Sequence, residues 1–164
     1  MNVTVEIIND CEGHKVPNAA QCKNWITNSI SHLGDKNTDK DSNTSLSISI
    51  RFVTSADSQA LNFQYRQNNS PTNVLSFPVK FSPKLEKLHG FRLLGDLALC
   101  PAIIEQEAND QGKKLEAHWA HLIIHGLYHL LGFDHKKEKE AQFMEELEIK
   151  ALEKLGFSNP YLLG

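Results

Sequence analysis

The stretch His125-Gly-Leu-Tyr-His129-Leu-Leu-Gly132-Phe-Asp-His135 places three imidazole side chains close together in the sequence. Side chains four positions apart lie on the same face of an α-helix, so His125 and His129 can bind one metal ion from a single element. Gly132 suits the end of that helix, because glycine adopts the left-handed conformation without a steric penalty. The chain can then turn back, so that His135 supplies a third ligand. The stretch therefore predicts a metal-binding helix around which the fold is arranged.

The predicted ligand set is typical of a catalytic zinc site. Three histidine ligands leave a fourth position open, whereas structural zinc sites are usually closed by four protein ligands. The alternative is a chance pair of core histidines that are hydrogen-bonded elsewhere. Leucines on both sides of the histidines make this helix apolar, and buried imidazoles without partners are costly. We therefore predict one bound Zn²⁺, although imidazole ligands also suit nickel, copper and iron.

The segments around the metal helix alternate between strand and helix patterns at first and are mainly helical later. Alternating polar and apolar residues predict strands, and apolar residues every three or four positions predict helices. The predicted strands cover about residues 3–8, 46–52, 72–77 and 93–100. The predicted helices cover about residues 19–33, 55–66, 101–112, 115–132 and 137–155. Residues 34–44 and 79–92 are predicted to be loops, and Ser55 is predicted to cap the second helix.

This order of elements predicts an α+β fold. We expect a single domain over residues 1–164, with a small mixed β-sheet of about four strands covered by about five helices, one of them a zincin-like metal helix. A chain of 164 residues that is 40% hydrophobic can bury a sizeable core. The metal helix should be the most buried helix, because it is apolar on more than one side.

Composition limits the function classes. The formal net charge of -3 argues against a protein that holds nucleic acid by bulk positive charge, and it leaves a localised basic patch open. Three cysteines at irregular spacing indicate reduced thiols in a cytoplasmic protein. The first residues lack a cationic segment and no run of 18 apolar residues occurs, so we expect a soluble protein without a membrane partner.

Gly126 separates this motif from the best-known zinc peptidases. Peptidases of the His-Glu-x-x-His type place their general base, a glutamate, at the position that Gly126 occupies. The remaining spacing matches that of the longer metzincin motif, so a metallopeptidase-like hydrolase stays open. A phosphodiester substrate needs neutralised phosphate charge more than that glutamate. Arg66 is the best candidate partner, since a guanidinium can bind phosphate with two parallel hydrogen bonds; an exposed surface arginine is the equal alternative.

Four further polar residues near the motif have open roles. His118 and His121 can share the face of His125, and either could orient a ligand or transfer protons; His121 is also compatible with an ordinary hydrogen-bonded helix residue. Asp134 could orient a ligand histidine or cap the next helix. Glu116 fits the stabilisation of a helix N-terminus.

Several stretches together resemble the bacterial YbeY family of endoribonucleases, also called rRNA maturation factors. They are the histidine motif itself, Leu61-Asn-Phe-Gln-Tyr-Arg66, Thr72-Asn-Val-Leu-Ser-Phe-Pro78, Leu94-Gly-Asp-Leu-Ala-Leu99, Glu116-Ala-His-Trp-Ala-His121 and Pro160-Tyr161. The resemblance extends from about residue 46 to the end of the chain, whereas the first 45 residues match only in general pattern.

The resemblance implies a zinc-dependent, single-strand-specific endoribonuclease. It would act in the cytoplasm in ribosomal RNA maturation, including processing of the small-subunit rRNA 3′ end, and in ribosome quality control. It implies that His125, His129 and His135 bind zinc and that Arg66 is important for activity. The implied partners are single-stranded ribosomal RNA, the small ribosomal subunit and its assembly factors, and no DNA is expected. Two alternatives remain: the metallopeptidase-like zinc hydrolase, and a ribosome-assembly binding module whose metal is structural.

Overall fold

Four strands form one mixed sheet in the computed structural model, which describes residues 2–33, 45–80 and 82–162. The strands are β1 (Asn2–Asn9), β2 (Ser45–Phe52), β3 (Val74–Pro78) and β4 (Phe91–Leu99). Their order across the sheet is β1-β2-β4-β3. The pairs β1–β2 and β2–β4 are parallel, whereas β3 pairs with β4 in antiparallel fashion. The antiparallel strand β3 therefore lies at one edge.

Six helices surround this sheet in the described part of the chain. They are α1 (Ala19–His32), α2 (Ser55–Arg66), α3 (Pro83–His89), α4 (Pro101–Gln111), α5 (Leu115–Leu130) and α6 (Glu138–Lys154). The α+β class and the mixed four-stranded sheet are thus confirmed. Within the described ranges, no helix has both the length and the apolar character that crossing a membrane requires.

The larger apolar cluster joins the sheet to α1, α5 and α6, and a smaller cluster lies where α2 contacts β3. Neighbouring residues of a strand point to opposite faces, and accordingly Leu97 belongs to the larger cluster and Ala98 to the smaller one. Helix α5 has eleven buried residues among its sixteen, more than any other described helix. The metal helix of the sequence prediction is therefore the central helix of the fold.

Gly95 allows β3 and β4 to pair closely. It lies where the register between β2 and β4 shifts, and its φ of 141° is unfavourable for residues with a side chain. A Cβ at this position would clash with the carbonyl oxygen of Phe77 and lie 3.0 Å from the Cα of Pro78. The edge strand can therefore stay in register only because residue 95 is a glycine.

One loop prediction was wrong. Residues 79–92 were expected to be a loop, but Pro83–His89 form helix α3 and β4 begins at Phe91. The local signals are present, because the side chain of Ser82 caps the helix and Gly90 ends it with a φ of 74°. Since no residue of α3 is buried, the segment lacks the apolar periodicity from which a helix is predicted.

Smaller differences concern the ends of elements. Thr54 rather than Ser55 is the N-cap of α2, and its side-chain oxygen accepts from the Asp57 amide at 3.2 Å. Strand β3 begins at Val74 instead of residue 72. The predicted loop at residues 34–44 lies outside the described residues.

Candidate active site

Three histidine side chains converge where α5 ends. His125 and His129 lie one turn apart on α5, and His135 lies in the segment that follows. One nitrogen from each ring falls within 4.8 Å of the others, and the Nε2 atoms of His125 and His129 are 3.2 Å apart. The cluster could therefore hold a metal ion.

The end of α5 brings His135 back to the helix. The Gly132 amide donates to the His129 carbonyl at 3.1 Å, and the Phe133 amide donates to the Tyr128 carbonyl at 3.0 Å. These two bonds define a Schellman motif, which requires a left-handed residue such as Gly132, whose φ is 100°. The turn at Gly132 thus ends α5 and directs the chain back toward the last turn of that helix.

The surroundings keep His129 neutral. Burial, the largest cause, and the neighbouring His125 and His135 together lower the pKa of the His129 imidazole to about 4. A histidine must be unprotonated at the nitrogen that binds a metal ion. At neutral pH this ring therefore carries a lone pair that is available to a cation.

Sequence reasoning missed Glu148, which lies on α6 and is fully buried. Its Oε1 lies 2.8 Å from His121 Nε2 and 3.1 Å from His125 Nδ1. Burial alone would raise the pKa of this carboxyl, but hydrogen bonds from His121 and His125 lower it to about 2. The charged carboxylate accepts the Nδ1 proton of His125, which leaves Nε2 of that ring as the ligand atom.

Tyr161, near the end of the described chain, completes this buried cluster. Its hydroxyl donates to Glu148 Oε1 at 3.0 Å and lies 3.2 Å from His121 Nε2. Burial, and to a smaller extent the nearby charge of Glu148, raise the pKa of the Tyr161 phenol. His121 is 8% exposed, and its Nδ1 has no hydrogen-bond partner among the described residues. The structure thus places His121 in a hydrogen-bonded, mostly buried position beside the histidine cluster.

Arg66 lines the same cleft as the three histidines. The cleft has a volume of about 820 Å³, and His121 and Tyr161 also line it. The guanidinium donates to the carbonyl of Ser76 at 3.0 Å and to that of Tyr65 at 3.2 Å. These two bonds occupy two of the five N–H groups of an arginine. Helix α2 and the edge strand thus hold a cation beside the candidate metal centre.

Gly126 allows α5 to lie close against the sheet. A Cβ at this position would lie 2.8 Å from Leu97 Cδ2 and 3.3 Å from Ser76 Oγ. The Ser76 hydroxyl also donates to the Gly126 carbonyl at 3.3 Å. The position that carries the glutamate in zinc peptidases therefore faces packed side chains, and even a Cβ there would require Leu97 to shift.

The remaining predicted polar residues have separate roles. Asp134 accepts a hydrogen bond from the His135 amide at 2.7 Å, so it fixes the third histidine through the backbone. Glu116 lies in the first turn of α5, as predicted. His118 is buried and bonds to Glu107 at 3.0 Å, and burial lowers its pKa although Glu107 opposes that shift. His118 therefore belongs to a pair on the α4 side of α5.

The fold and site define an α+β protein with a buried helix, three convergent histidines and an arginine in one cleft. The chain matches the family model described as Endoribonuclease YbeY over residues 6–156. The Endoribonuclease YbeY of Colwellia psychrerythraea (strain 34H) is 44% identical over 152 residues, which cover 93% of this chain and 92% of that protein. The solution structure of TM1509 from Thermotoga maritima, 22% identical, shares the fold with a TM-score of 0.56 over 97% of this chain and 99% of that one.

This chain therefore belongs to the YbeY endoribonuclease family. It is an enzyme of the hydrolytic nuclease class.

Proposed function

We propose that residues 1–164 act as one hydrolase domain, a zinc-dependent endoribonuclease that cuts single-stranded ribosomal RNA. One observation carries the proposal: Arg66 and the histidine cluster line a single cleft in a chain of the YbeY family. A cation centre and a fixed arginine suit phosphodiester hydrolysis, in which charge neutralisation and positioning dominate.

The residues present fit one Zn²⁺ ion. Zinc prefers imidazole ligands with a fourth position open in catalytic sites, and the buried carboxylate of Glu148 orients one of the three rings. We propose that His125, His129 and His135 hold the ion. When bound, zinc lowers the pKa of a coordinated water and polarises a phosphoryl oxygen.

Arg66 is the proposed phosphate-binding residue. Two backbone carbonyls anchor its guanidinium, and three N–H groups remain to bind phosphate oxygens. This fixed geometry lowers the entropic cost of holding the phosphodiester in the reactive position.

His121 is the proposed proton-transfer residue. It lines the cleft, and its Nε2 is bonded to Glu148 and lies beside the Tyr161 hydroxyl, while its Nδ1 is buried. We infer that the proton is carried by His121 itself, because Glu148 is held charged and the raised pKa of Tyr161 keeps its phenol protonated at neutral pH. It also helps to keep Glu148 charged.

We further propose a role in ribosomal RNA maturation in the cytoplasm. The family name supports RNA as substrate, and processing of the small-subunit rRNA 3′ end with ribosome quality control is the proposed setting. The formal net charge of -3 provides little long-range attraction for RNA. We therefore propose that the small ribosomal subunit and its assembly factors bring the RNA to the enzyme. DNA is not an expected substrate.

The test combines metal analysis with cleavage of a single-stranded RNA. Arg66→Ala should lower kcat/KM by about 100-fold or more with unchanged zinc content, and His129→Ala should lose the metal. Arg51→Ala is the matched control, since Arg51 is an exposed arginine that pairs with Asp10 at 2.7 Å. Equal cleavage by wild type and Arg66→Ala would contradict the role of Arg66. Chelator-sensitive peptidase activity without RNA cleavage would instead favour the metallopeptidase-like alternative.

A further inference from the structure

Two aromatic side chains lie beside Arg66 and outside the histidine cluster. Tyr65 in the last turn of α2 and Phe77 of β3 have ring centroids 5.0 Å apart and an interplanar angle of 69°. The Arg66 guanidinium carbon lies 5.8 Å from the Phe77 ring centroid. Phe77 also packs into the smaller apolar cluster, whereas Tyr65 is 49% exposed. The pair is therefore anchored on one side and open to solvent on the other.

The aromatic pair lies just across the edge strand from the cleft. Successive side chains of a strand point to opposite faces, and Ser76 lines the cleft and bonds to α5 while Phe77 joins the α2 side. Arg66 spans the two faces, because it donates to the Ser76 carbonyl and lies over the Phe77 ring. Through Phe77, the Tyr65 ring thus lies next to Arg66, which itself lines the cleft.

The chemistry of this surface fits an unpaired nucleobase. An edge-to-face contact leaves ring surface of Tyr65 uncovered, and aromatic rings bind single-stranded nucleic acid by stacking on the π-face that every base has. Arginine beside the ring adds a cation that can bind the phosphate of the same nucleotide. The proposed hydrolysis assigns no role to the aromatic rings of Tyr65 and Phe77.

We propose that Tyr65, supported by Phe77, forms a nucleobase-stacking subsite that holds a base of single-stranded RNA next to the phosphate bound by Arg66. This subsite rests on the proposed endoribonuclease function and adds a cause for its strand preference. A base in a duplex is already stacked on its neighbours, so it reaches Tyr65 only after unstacking, which is unfavourable. Stacking alone also implies tolerance of all four bases.

The variants separate the ring from the fold. Tyr65→Leu removes the aromatic ring and keeps apolar bulk against Phe77, whereas Tyr65→Phe keeps the ring. Phe63→Leu is the matched control, because Phe63 lies on the same helix and is 59% exposed. Two residues correspond to about 200° of helix rotation, so Phe63 lies on a different face of the helix from Tyr65. Thermal unfolding of each variant checks that the fold is intact.

The probe is a short single-stranded oligoribonucleotide with one cleavage site, together with versions that carry one abasic residue at successive positions. Tyr65→Leu should raise KM about tenfold with kcat changed less than about twofold, and it should reduce the preference for single-stranded over duplex RNA. Tyr65→Phe and Phe63→Leu should match wild type. An abasic residue at the stacked position should raise the KM of the wild type as much as the Tyr65→Leu substitution does. The same abasic residue should leave the KM of Tyr65→Leu unchanged.

A second readout does not depend on cleavage. An oligonucleotide with 2-aminopurine at the stacked position should fluoresce more when bound to Tyr65→Leu than when bound to wild type, because stacking quenches this base. Unchanged KM and unchanged fluorescence in Tyr65→Leu would overturn the subsite, while cleavage by wild type would still uphold the proposed function. Quenching without cleavage would overturn the function and uphold the subsite. A defect on ribosomal subunits alone, with normal oligonucleotide cleavage, would show a protein-docking surface instead and overturn the subsite.

Discussion

Replacement of Glu148 by glutamine tests the buried cluster that supports the candidate metal centre. Glu148→Gln preserves the shape of the side chain and removes its charge. In the wild type, Glu148 Oε1 accepts from His121 at 2.8 Å, from His125 at 3.1 Å and from Tyr161 at 3.0 Å. Because the side chain is fully buried, water cannot replace the lost interactions.

The expected magnitude follows from these contacts. A hydrogen bond to a charged group contributes about 1.5–3 kcal/mol and a neutral one about 0.5–1.5 kcal/mol. Loss of the charge should therefore weaken each of the three contacts by about 1 kcal/mol and lower the free energy of unfolding of the metal-free protein by about 3 kcal/mol. Of the three contacts, only the one with His125 acts on a proposed ligand, so zinc affinity should fall about five- to tenfold, near the lower end of the 10- to 100-fold loss that is typical when such a partner is removed.

Two measurements check this prediction. Zinc affinity is measured by competition with a chromophoric chelator, and unfolding by urea titration in the presence of a strong chelator. Glu146→Gln is the matched control, because Glu146 is an exposed residue of the same helix and the charge change is identical. Equal zinc affinity in Glu148→Gln and Glu146→Gln would refute the reasoning that the buried carboxylate orients His125.

Three further predictions concern the fold. Gly95→Ala should lower the free energy of unfolding by about 2–5 kcal/mol, because its Cβ would clash with the Phe77 carbonyl; Gly13→Ala, where a Cβ meets nothing within 4 Å, is the control in urea titrations, and equal midpoints would contradict the clash. Burial lowers the pKa of His118 in the folded state, so the unfolded chain binds the proton more readily. The contribution of His118 to the free energy of unfolding should therefore be fully present above about pH 6.5 and be lost as the pH falls below it, by up to about 1.4 kcal/mol per pH unit. His118→Gln should reduce this pH dependence, and an unchanged pH dependence in the variant would contradict the prediction. All three cysteines are buried, and burial raises the pKa of Cys22 to about 12; a thiol reagent should modify them only in urea, and fast modification of the native protein would be inconsistent with this burial.

Helix α5 could be predicted because the signals that define it lie close together in the sequence. The i, i+4 spacing of two histidines and the glycine after them determine a helix face and a helix end, and the structure has both. The alternating strands were predictable for the same reason. Helix α3 was not, since a short helix without buried residues carries no apolar periodicity.

Glu148 shows why the rest of the site could not be read from local patterns. It occupies a position of the apolar stripe of α6, between the buried Met144 and Ala151. A glutamate within such a stripe indicates a buried partner, but the partner depends on how α6 packs against α5. His125 lies 23 residues away in the sequence, and no spacing rule connects the two. Arg66 has the same difficulty. It was the best candidate for a phosphate partner, but its local sequence fits an exposed arginine equally well, and the family resemblance decided between the two.

Two successive hydrogen bonds connect Gly126, the position of the glutamate in zinc peptidases, to Arg66 through Ser76. Without a side chain at Gly126, α5 approaches β3 closely enough for the Ser76 hydroxyl to donate to the Gly126 carbonyl. The carbonyl of the same Ser76 accepts from the Arg66 guanidinium. A Cβ at residue 126 would lie 2.8 Å from Leu97 Cδ2 and 3.3 Å from Ser76 Oγ, so a glutamate there would force these side chains to shift. We therefore expect Gly126→Glu to disturb Ser76 and, through its carbonyl, the anchoring of Arg66. The glycine at residue 126 thus serves the packing that holds the arginine, at the position where zinc peptidases place their base.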